Sequence, residues 1–380
     1  MDKSCGIEKK CGACQLSNMT YERQLGFKQA KVVKLLRRFC HVEEIIPMNE
    51  PYNYRCKSQY GIRKFKNGRI ATGVYQSSTG SVIPTDSCFL NDALSNEIAR
   101  FIRKTVITLG IEPYTERGRG VLRHILIRCA KATGEYMAVL VCFDDSLKRE
   151  DELVSAVIKK FPQVKSIVLN VSRSAKMTLG KQERILYGSG TITDILCGCK
   201  FEISPRSFYQ VNPTQTEILY RTAIEFADIK RGQRILDAYC GIGTIGICAS
   251  EKAGEIVGVE KNSDAVSDAR RNAKLNNIKK ARYIEGDAGV YMQSAAKRGE
   301  RFDAVFTDPP RAGCSREFLQ SLTKLSPPKI VYISCAPDTL ARDLYYLTKN
   351  GYKVRKIQPI DMFPHTSHVE CVCLLTNKGM

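Results

Sequence analysis

Arg234-Ile-Leu-Asp237-Ala-Tyr239-Cys-Gly241-Ile-Gly243-Thr-Ile-Gly246 decides the fold. Its first residues read as a short buried strand. The glycines after it let the chain turn tightly and approach a ligand closely. A G-x-G-x-x-G alone is a weak signal. Here it opens an alternation of strands, at 235–238, 256–259, 281–284, 304–307 and 330–334, with helical stretches between them. That alternation predicts a doubly wound, mostly parallel α/β sheet of Rossmann type over residues 205–380. Ligands of such sheets sit outside the carboxyl ends of the strands.

Several acids fall at those ends. Glu260 closes the second strand 19 residues after Gly241, where a carboxylate accepts hydrogen bonds from ribose hydroxyls. Asp287 and Asp308 follow later strands, and Asp237 precedes the loop. A nucleoside cofactor is implied, and two compete. A nicotinamide dinucleotide would rest its pyrophosphate on the helix start, making an oxidoreductase. S-adenosylmethionine carries a cation, which several carboxylates suit better. Asp308-Pro-Pro-Arg311 resembles the Asp/Asn-Pro-Pro-aromatic signature of amino-group methyltransferases, but Arg311 in the fourth place argues against exocyclic-amine chemistry.

Cys335 lies between the strand at 330–334 and a helix at 338–347, so its thiol leaves the same sheet edge. Glu370 begins a further apolar strand, 371–375. C5 of uracil is nearly inert. A thiolate added at C6 makes C5 nucleophilic, and a base must then take the C5 proton so that the thiolate can leave. One cysteine, one base and one methyl donor are the required set. His365 and His368 read as capping or packing residues.

The first half, residues 1–204, reads as α+β. Helical spacing covers 21–39, a helix that can pack on the second domain, with Leu25, Val32, Val33, Leu35 and Leu36 on one face and Lys28, Lys31 and Lys34 elsewhere. Asn67-Gly68 marks a hairpin through positive φ angles. The chain carries a net charge of +20, and residues 1–200 hold 33 basic against 19 acidic groups. Such an excess points to a polyanion, nucleic acid first. No export signal or apolar run of membrane length is present, so the 16 cysteines are expected to be reduced thiols, metal ligands or catalysts in a cytoplasmic protein. Cys5, Cys11 and Cys14 form C-x5-C-x2-C, with Cys40, Cys56 and Cys88 as candidate fourth ligands. Zinc and an iron–sulfur cluster both fit that spacing.

Five ordered stretches resemble the RNA uracil-C5 methyltransferases: 204–213, 236–243, 308–313, 334–343 and 361–370. The resemblance implies an S-adenosylmethionine-dependent Rossmann-like domain (205–380) behind an α+β RNA-binding domain (1–204). It implies Cys335 as nucleophile and Glu370 as base. Gln210, Tyr239, Glu260, Asp287 and Asp308 would surround the methyl donor and target base, and Phe208 would stack on extruded RNA. It further implies a 4Fe-4S cluster on Cys5, Cys11, Cys14 and Cys88, as in ribosomal members. That tilts the expected substrate to 23S ribosomal RNA over transfer RNA, for a monomeric enzyme without membrane contact. Many relatives begin with a small β-barrel RNA-binding domain, which is expected to be missing here. Three departures stand out: Ala336 where the family usually has Asn, Arg55-Cys56-Lys57 for Arg-Asn-Lys, and a missing Asn near 174–177.

Overall fold

A computed structural model describes residues 5–76, 78–115, 120–174 and 179–379. The family's missing Asn near 174–177 thus falls largely outside the described residues. Two seven-stranded sheets organise the chain. The first holds β1 (Lys57–Lys64), β2 (Ile70–Tyr75), β3 (Val82–Pro84), β4 (Leu122–Ala130), β5 (Glu135–Cys142), β6 (Val164–Val171) and β7 (Gln182–Gly188), in the order β3-β2-β1-β4-β5-β6-β7. A hairpin of β8 (Ile192–Leu196) and β9 (Cys199–Ile203) follows. The second sheet holds β10 (Arg234–Ala238), β11 (Glu255–Glu260), β12 (Ala281–Glu285), β13 (Ala304–Thr307), β14 (Lys329–Ser334), β15 (Tyr352–Ile360) and β16 (Glu370–Asn377), in the order β12-β11-β10-β13-β14-β16-β15.

The first five strands of the second sheet are parallel, and β16 runs against both neighbours. Their residues alternate between two cores. Ile235, Ile256, Phe306, Val331 and Ile333 enter one; Leu236, Val257, Val305, Ile330 and Tyr332 enter the other. A sheet covered on both faces needs apolar residues at every position, which is why these strands read as continuous runs. Leu126, Met137, Val139 and Val168 of the first sheet join the same core as Ile235 and Phe306, so apolar burial is continuous across the two halves. Among the described residues no helix is long and apolar enough to cross a membrane.

Two local expectations need correction. In the β1–β2 connection only Gly68 takes a positive φ, 79°. Asn67 instead accepts a hydrogen bond from the Arg69 N–H at 3.1 Å, a side-chain turn that removes the need for a left-handed Asn. The helix Tyr21–Leu36 ends earlier than its spacing suggests, and its buried stripe is Gln24, Lys28, Val32 and Leu36. Val32 and Leu36 pack in the core shared with Leu340 and Leu344. Lys28, expected off the apolar face, is fully buried because its ammonium meets the Asp361 carboxylate at 2.6 Å. A buried lysine is tolerable only with such a partner.

Ala336 is the N-cap of the helix Pro337–Lys349, with the extended backbone of a capping residue and no side-chain cap. The departure from Asn therefore removes an acceptor for the helix's first free N–H groups. Replacing Ala336 by Asn is expected to stabilise the native state by about 1 kcal/mol, read as a higher thermal midpoint. An unchanged or lower midpoint would show that this helix end needs no cap.

Candidate active site

A cleft of about 990 Å³ opens at the carboxyl ends of β10, β11, β13 and β14. Cys335, Glu370, Asp308, Tyr239, Glu260, Gln210 and Phe208 all line it. The structure thus brings together seven of the residues singled out from the sequence. Asp237 and Asp287 are not among them. Gly286 and Ala288 on either side of Asp287 line the cleft, but the Asp287 carboxylate accepts from the Val290 N–H and pairs with Lys261 at 2.8 Å.

Strand direction places the thiol beside the carboxyl group. β14 runs outward to Ser334, and β16 runs inward from Glu370. Ser334 pairs with Cys371, so Cys335 and Glu370 each lie one residue beyond the last paired position, at the same edge of the sheet. Glu370 is 4% exposed. Burial first, then the Asp308 charge, pushes its carboxyl up to about 8, against a smaller downward pull from Arg311. Cys335 is half-buried. Burial, Glu370 and Asp308 push its thiol up to about 11, and Arg311 again opposes. Burial alone lifts Asp308 to about 7. Three acids crowd one wall, and Arg311 is the cation that favours the charged forms of Glu370 and Cys335.

The loop 308–314 that carries Asp308 and Arg311 is held from the helix Pro337–Lys349. Thr339 Oγ1 donates to the Arg311 carbonyl at 3.1 Å, and the Arg342 guanidinium donates to the carbonyls of Ala312 and Cys314. The buried Asp343 accepts from the Cys314 N–H at 2.8 Å and from the Tyr332 hydroxyl at 2.6 Å. Gly313 sits at φ 75°, and a Cβ there would lie 2.7 Å from an Asp343 oxygen. Two of the resembling stretches, 308–313 and 334–343, are therefore one packed unit.

The glycine loop is fitted to a cation. Asp237 is fully buried and accepts from the Gly246 N–H at 2.9 Å, so it ties the loop to β10 without lining the cleft. Its burial holds the carboxyl near 7. Tyr239 and Gly243 take positive φ, and a Cβ on Gly243 would meet the Tyr283 hydroxyl at 2.9 Å. The Gly241 N–H already donates to Glu260 Oε2 at 3.2 Å. A pyrophosphate there would face a carboxylate, whereas a ribose hydroxyl can donate to it. The donor set suits S-adenosylmethionine and disfavours a dinucleotide.

Phe208 is 68% exposed at the cleft rim, which excludes a core packing role. The segment before it rests on Arg128, a residue the sequence reading missed. Arg128 is 2% exposed, and its guanidinium donates to the carbonyls of Ser204, Pro205 and Ser207 at 2.7, 3.1 and 2.8 Å. An arginine inside an apolar strand run gives no local sign of such a partner.

Cys14 and Cys88 pack beside Met48, Tyr54 and Leu90. Burial pushes the Cys14 thiol up to about 12, and the charges of Cys88, Cys11 and Cys5 push it the same way. The four thiols thus share one neighbourhood, although among the described residues no group of three or more His, Cys, Asp or Glu side chains is arranged to hold a metal ion. Asn96 grips Cys88 through its main chain, at 3.1 and 3.2 Å.

A family model described as tRNA (Uracil-5-)-methyltransferase matches residues 20–378. An uncharacterized RNA methyltransferase of Clostridium tetani is 40% identical over 385 residues, covering 100% of this chain and 84% of the relative. Another, from Caldanaerobacter subterraneus, is 39% identical over 377 residues, covering 98% and 83%. Among solved structures, the Pyrococcus abyssi tRNA (uracil-54, C5)-methyltransferase in complex with S-adenosyl-L-homocysteine is similar with a TM-score of 0.80 and 29% identity. It covers 96% of this chain and 85% of its own.

The raised carboxyl of Glu370 has a thermodynamic consequence. An acid whose folded pKa lies above its unfolded value, about 4.3, binds more protons in the native state across that interval. Stability therefore falls as pH rises from about 4 toward 8. Glu370→Gln removes this term. The variant should melt at the wild-type temperature near pH 4 and several degrees above it at pH 9. Parallel melting curves for the two proteins across this range would place Glu370 in a solvated site.

Proposed function

This chain belongs to the RNA uracil-C5 methyltransferase family and is S-adenosylmethionine-dependent, and we propose that it converts a specific uridine of 23S ribosomal RNA to 5-methyluridine through a covalent cysteine–C6 adduct. The observation that supports the chemistry is that Cys335 and Glu370, each one residue beyond the Ser334–Cys371 pair of β14 and β16, line one cleft. Cys335 adds to C6 of the uracil, and the C5=C6 electron pair makes C5 nucleophilic. S-adenosylmethionine, when bound, supplies an electrophilic methyl group to C5 and a positive charge that favours the Cys335 thiolate and the Asp308 carboxylate. Glu370 then takes the proton from C5. The electrons of that C–H bond restore the C5=C6 double bond as the C6–S bond breaks and Cys335 leaves as thiolate. A carboxyl held near 8 is matched to such a proton transfer at neutral pH.

Gln210, Tyr239, Glu260 and Asp308 are proposed to bind the methyl donor and target base, with Asp287 acting only through the helix Ala288–Lys297 whose start it caps. Phe208, exposed at the rim, is proposed to stack on an extruded base, a contact of about 1–3 kcal/mol. Residues 1–204 form the proposed RNA-binding part and 205–380 the catalytic part, with the helix Tyr21–Leu36 docked on the latter. Cys5, Cys11, Cys14 and Cys88 are proposed to hold a 4Fe-4S cluster. Four thiols from two chain segments are a donor set suited to iron and sulfide. No electron enters the methyl-transfer scheme, so the cluster would act as a structural clasp. These thiols support ribosomal RNA as the substrate. Likeness to the Pyrococcus enzyme, whose substrate is transfer RNA, supports transfer RNA as the second reading.

With labelled donor, Cys335→Ala should bind S-adenosylmethionine yet give neither product nor adduct. Glu370→Gln should accumulate methylated RNA covalently attached to protein, visible on a denaturing gel. Fast product release from that variant would assign the base elsewhere. Mapping 5-methyluridine in both RNAs, with and without the protein, separates the two substrates. Protein purified without air should be brown and contain about four irons per chain. Stoichiometric zinc without iron would refute the cluster.

A further inference from the structure

We propose that Gln24 is a positioning residue for the reaction, setting through His365 the loop 361–369 that delivers Glu370 to Cys335. The loop joins β15 to β16, carries Phe363 into the cleft and ends at the proposed base. At its centre His365 has φ 67°, a left-handed conformation that a non-glycine residue keeps only where its surroundings enforce it. Gln24 supplies the enforcement. It is 0% exposed, and its side-chain oxygen accepts from the His365 main-chain N–H at 2.8 Å. Its amide nitrogen lies 3.2 Å from His365 Nδ1 and donates to the Met19 carbonyl at 3.0 Å. One amide thus holds both the backbone and the ring of the strained residue.

The rest of the N-terminal segment adds to the clasp. The Leu16 N–H donates to the His365 carbonyl at 3.0 Å, and the Tyr54 hydroxyl donates to the Pro364 carbonyl at 3.0 Å. Lys28 reaches both the Asp361 carboxylate and the Phe363 carbonyl, and the Tyr21 hydroxyl donates to Asp361 at 2.9 Å. The His365 ring packs on Tyr52 with centroids 4.7 Å apart. Residues 15–54 contribute no proposed catalytic group, yet they hold this loop at several consecutive residues. Gln24, unlike Lys28, is a neutral member of the clasp, so changing it leaves no buried charge to confuse the outcome.

The proposal rests on the reading of Glu370 as base, and the test keeps the two apart. Gln24→Met keeps the length of the side chain and removes its hydrogen bonds. With labelled donor it should lower kcat by about 10–100-fold, the scale expected for a misplaced group. The methylated adduct should accumulate, while KM for RNA and donor affinity stay near wild type. Tyr54→Phe, a milder change to the same clasp, should move kcat and adduct in the same direction and guards against a Gln24 variant that does not fold. Val32→Ala, a core truncation on the same helix, should lower the melting temperature and leave the adduct fraction unchanged. If Glu370→Gln traps the adduct while Gln24→Met and Tyr54→Phe turn over normally, the positioning role is wrong and the base stands. A uniform loss of attack and release in Gln24→Met, or an adduct in Val32→Ala, would reduce Gln24 to packing. If Glu370→Gln traps nothing, the base reading fails and the positioning role fails with it.

Discussion

The antiparallel register of β14 and β16 is the constraint on which the rest of the molecule depends. Every other internal strand of this sheet exposes its carboxyl end at the cleft. Only a reversed strand can present its first residue there. Pairing of Ser334 with Cys371 therefore brings a residue following one strand next to a residue opening another. A slip of one position would turn Glu370 to the opposite face of the sheet. The apolar alternation of β16, with Cys371, Cys373 and Leu375 in one core and Val372 and Leu374 in the other, prevents that slip.

The same geometry costs stability. Burial raises the proton affinity of Glu370, Asp308 and Cys335 in a partly dry wall, the Asp308 charge adds to it at Glu370, and Glu370 and Asp308 add to it at Cys335, with Arg311 opposing at Glu370 and Cys335. Such crowding is what a base poised near neutrality requires. It persists because the surrounding packing is firm. Asp343, Thr339 and Arg342 fasten the 308–314 loop, while Gln24, Lys28 and Tyr54 fasten the 361–369 loop. The helix Pro213–Ala227 joins in, since Asn212 donates to the Met362 carbonyl and Gln215 to the Asp361 carbonyl. Asp308 and Arg311 lie on the first of these loops, and Glu370 directly follows the second.

Much of this was legible in the sequence, for physical reasons. Strands covered on both faces must be apolar throughout, so β10, β11, β13 and β14 stood out, and their ends located the cleft. Glycines beside Tyr239 marked the turn because a Cβ on Gly243 would strike Tyr283. What stayed hidden were side chains whose roles depend on partners far along the chain. Lys28 and Asp361 are 333 residues apart, and each alone looks like a solvated charge. Arg128 hid inside an apolar strand, and its partners are main-chain carbonyls that carry no sequence signature. The strand β7 was missed because its side chains are mostly exposed, and exposed edges lack an apolar rhythm. Asp287 stood at the expected strand end, but its carboxylate turned to cap a helix and meet Lys261, a local competition that spacing does not reveal.

The central claim is that Cys335 bonds to C6 of a uridine while Glu370 waits to remove the C5 proton. An RNA bearing 5-fluorouridine at the target tests it most directly, because fluorine at C5 cannot be lost as a proton is. Incubation with S-adenosylmethionine should give a denaturation-resistant protein–RNA complex. Mass spectrometry of its peptides should find the methylated, fluorinated nucleotide on Cys335 alone among the 16 cysteines. Attachment to another cysteine, or methyl transfer from the same donor to normal RNA with no adduct on the fluorinated one, would contradict the account.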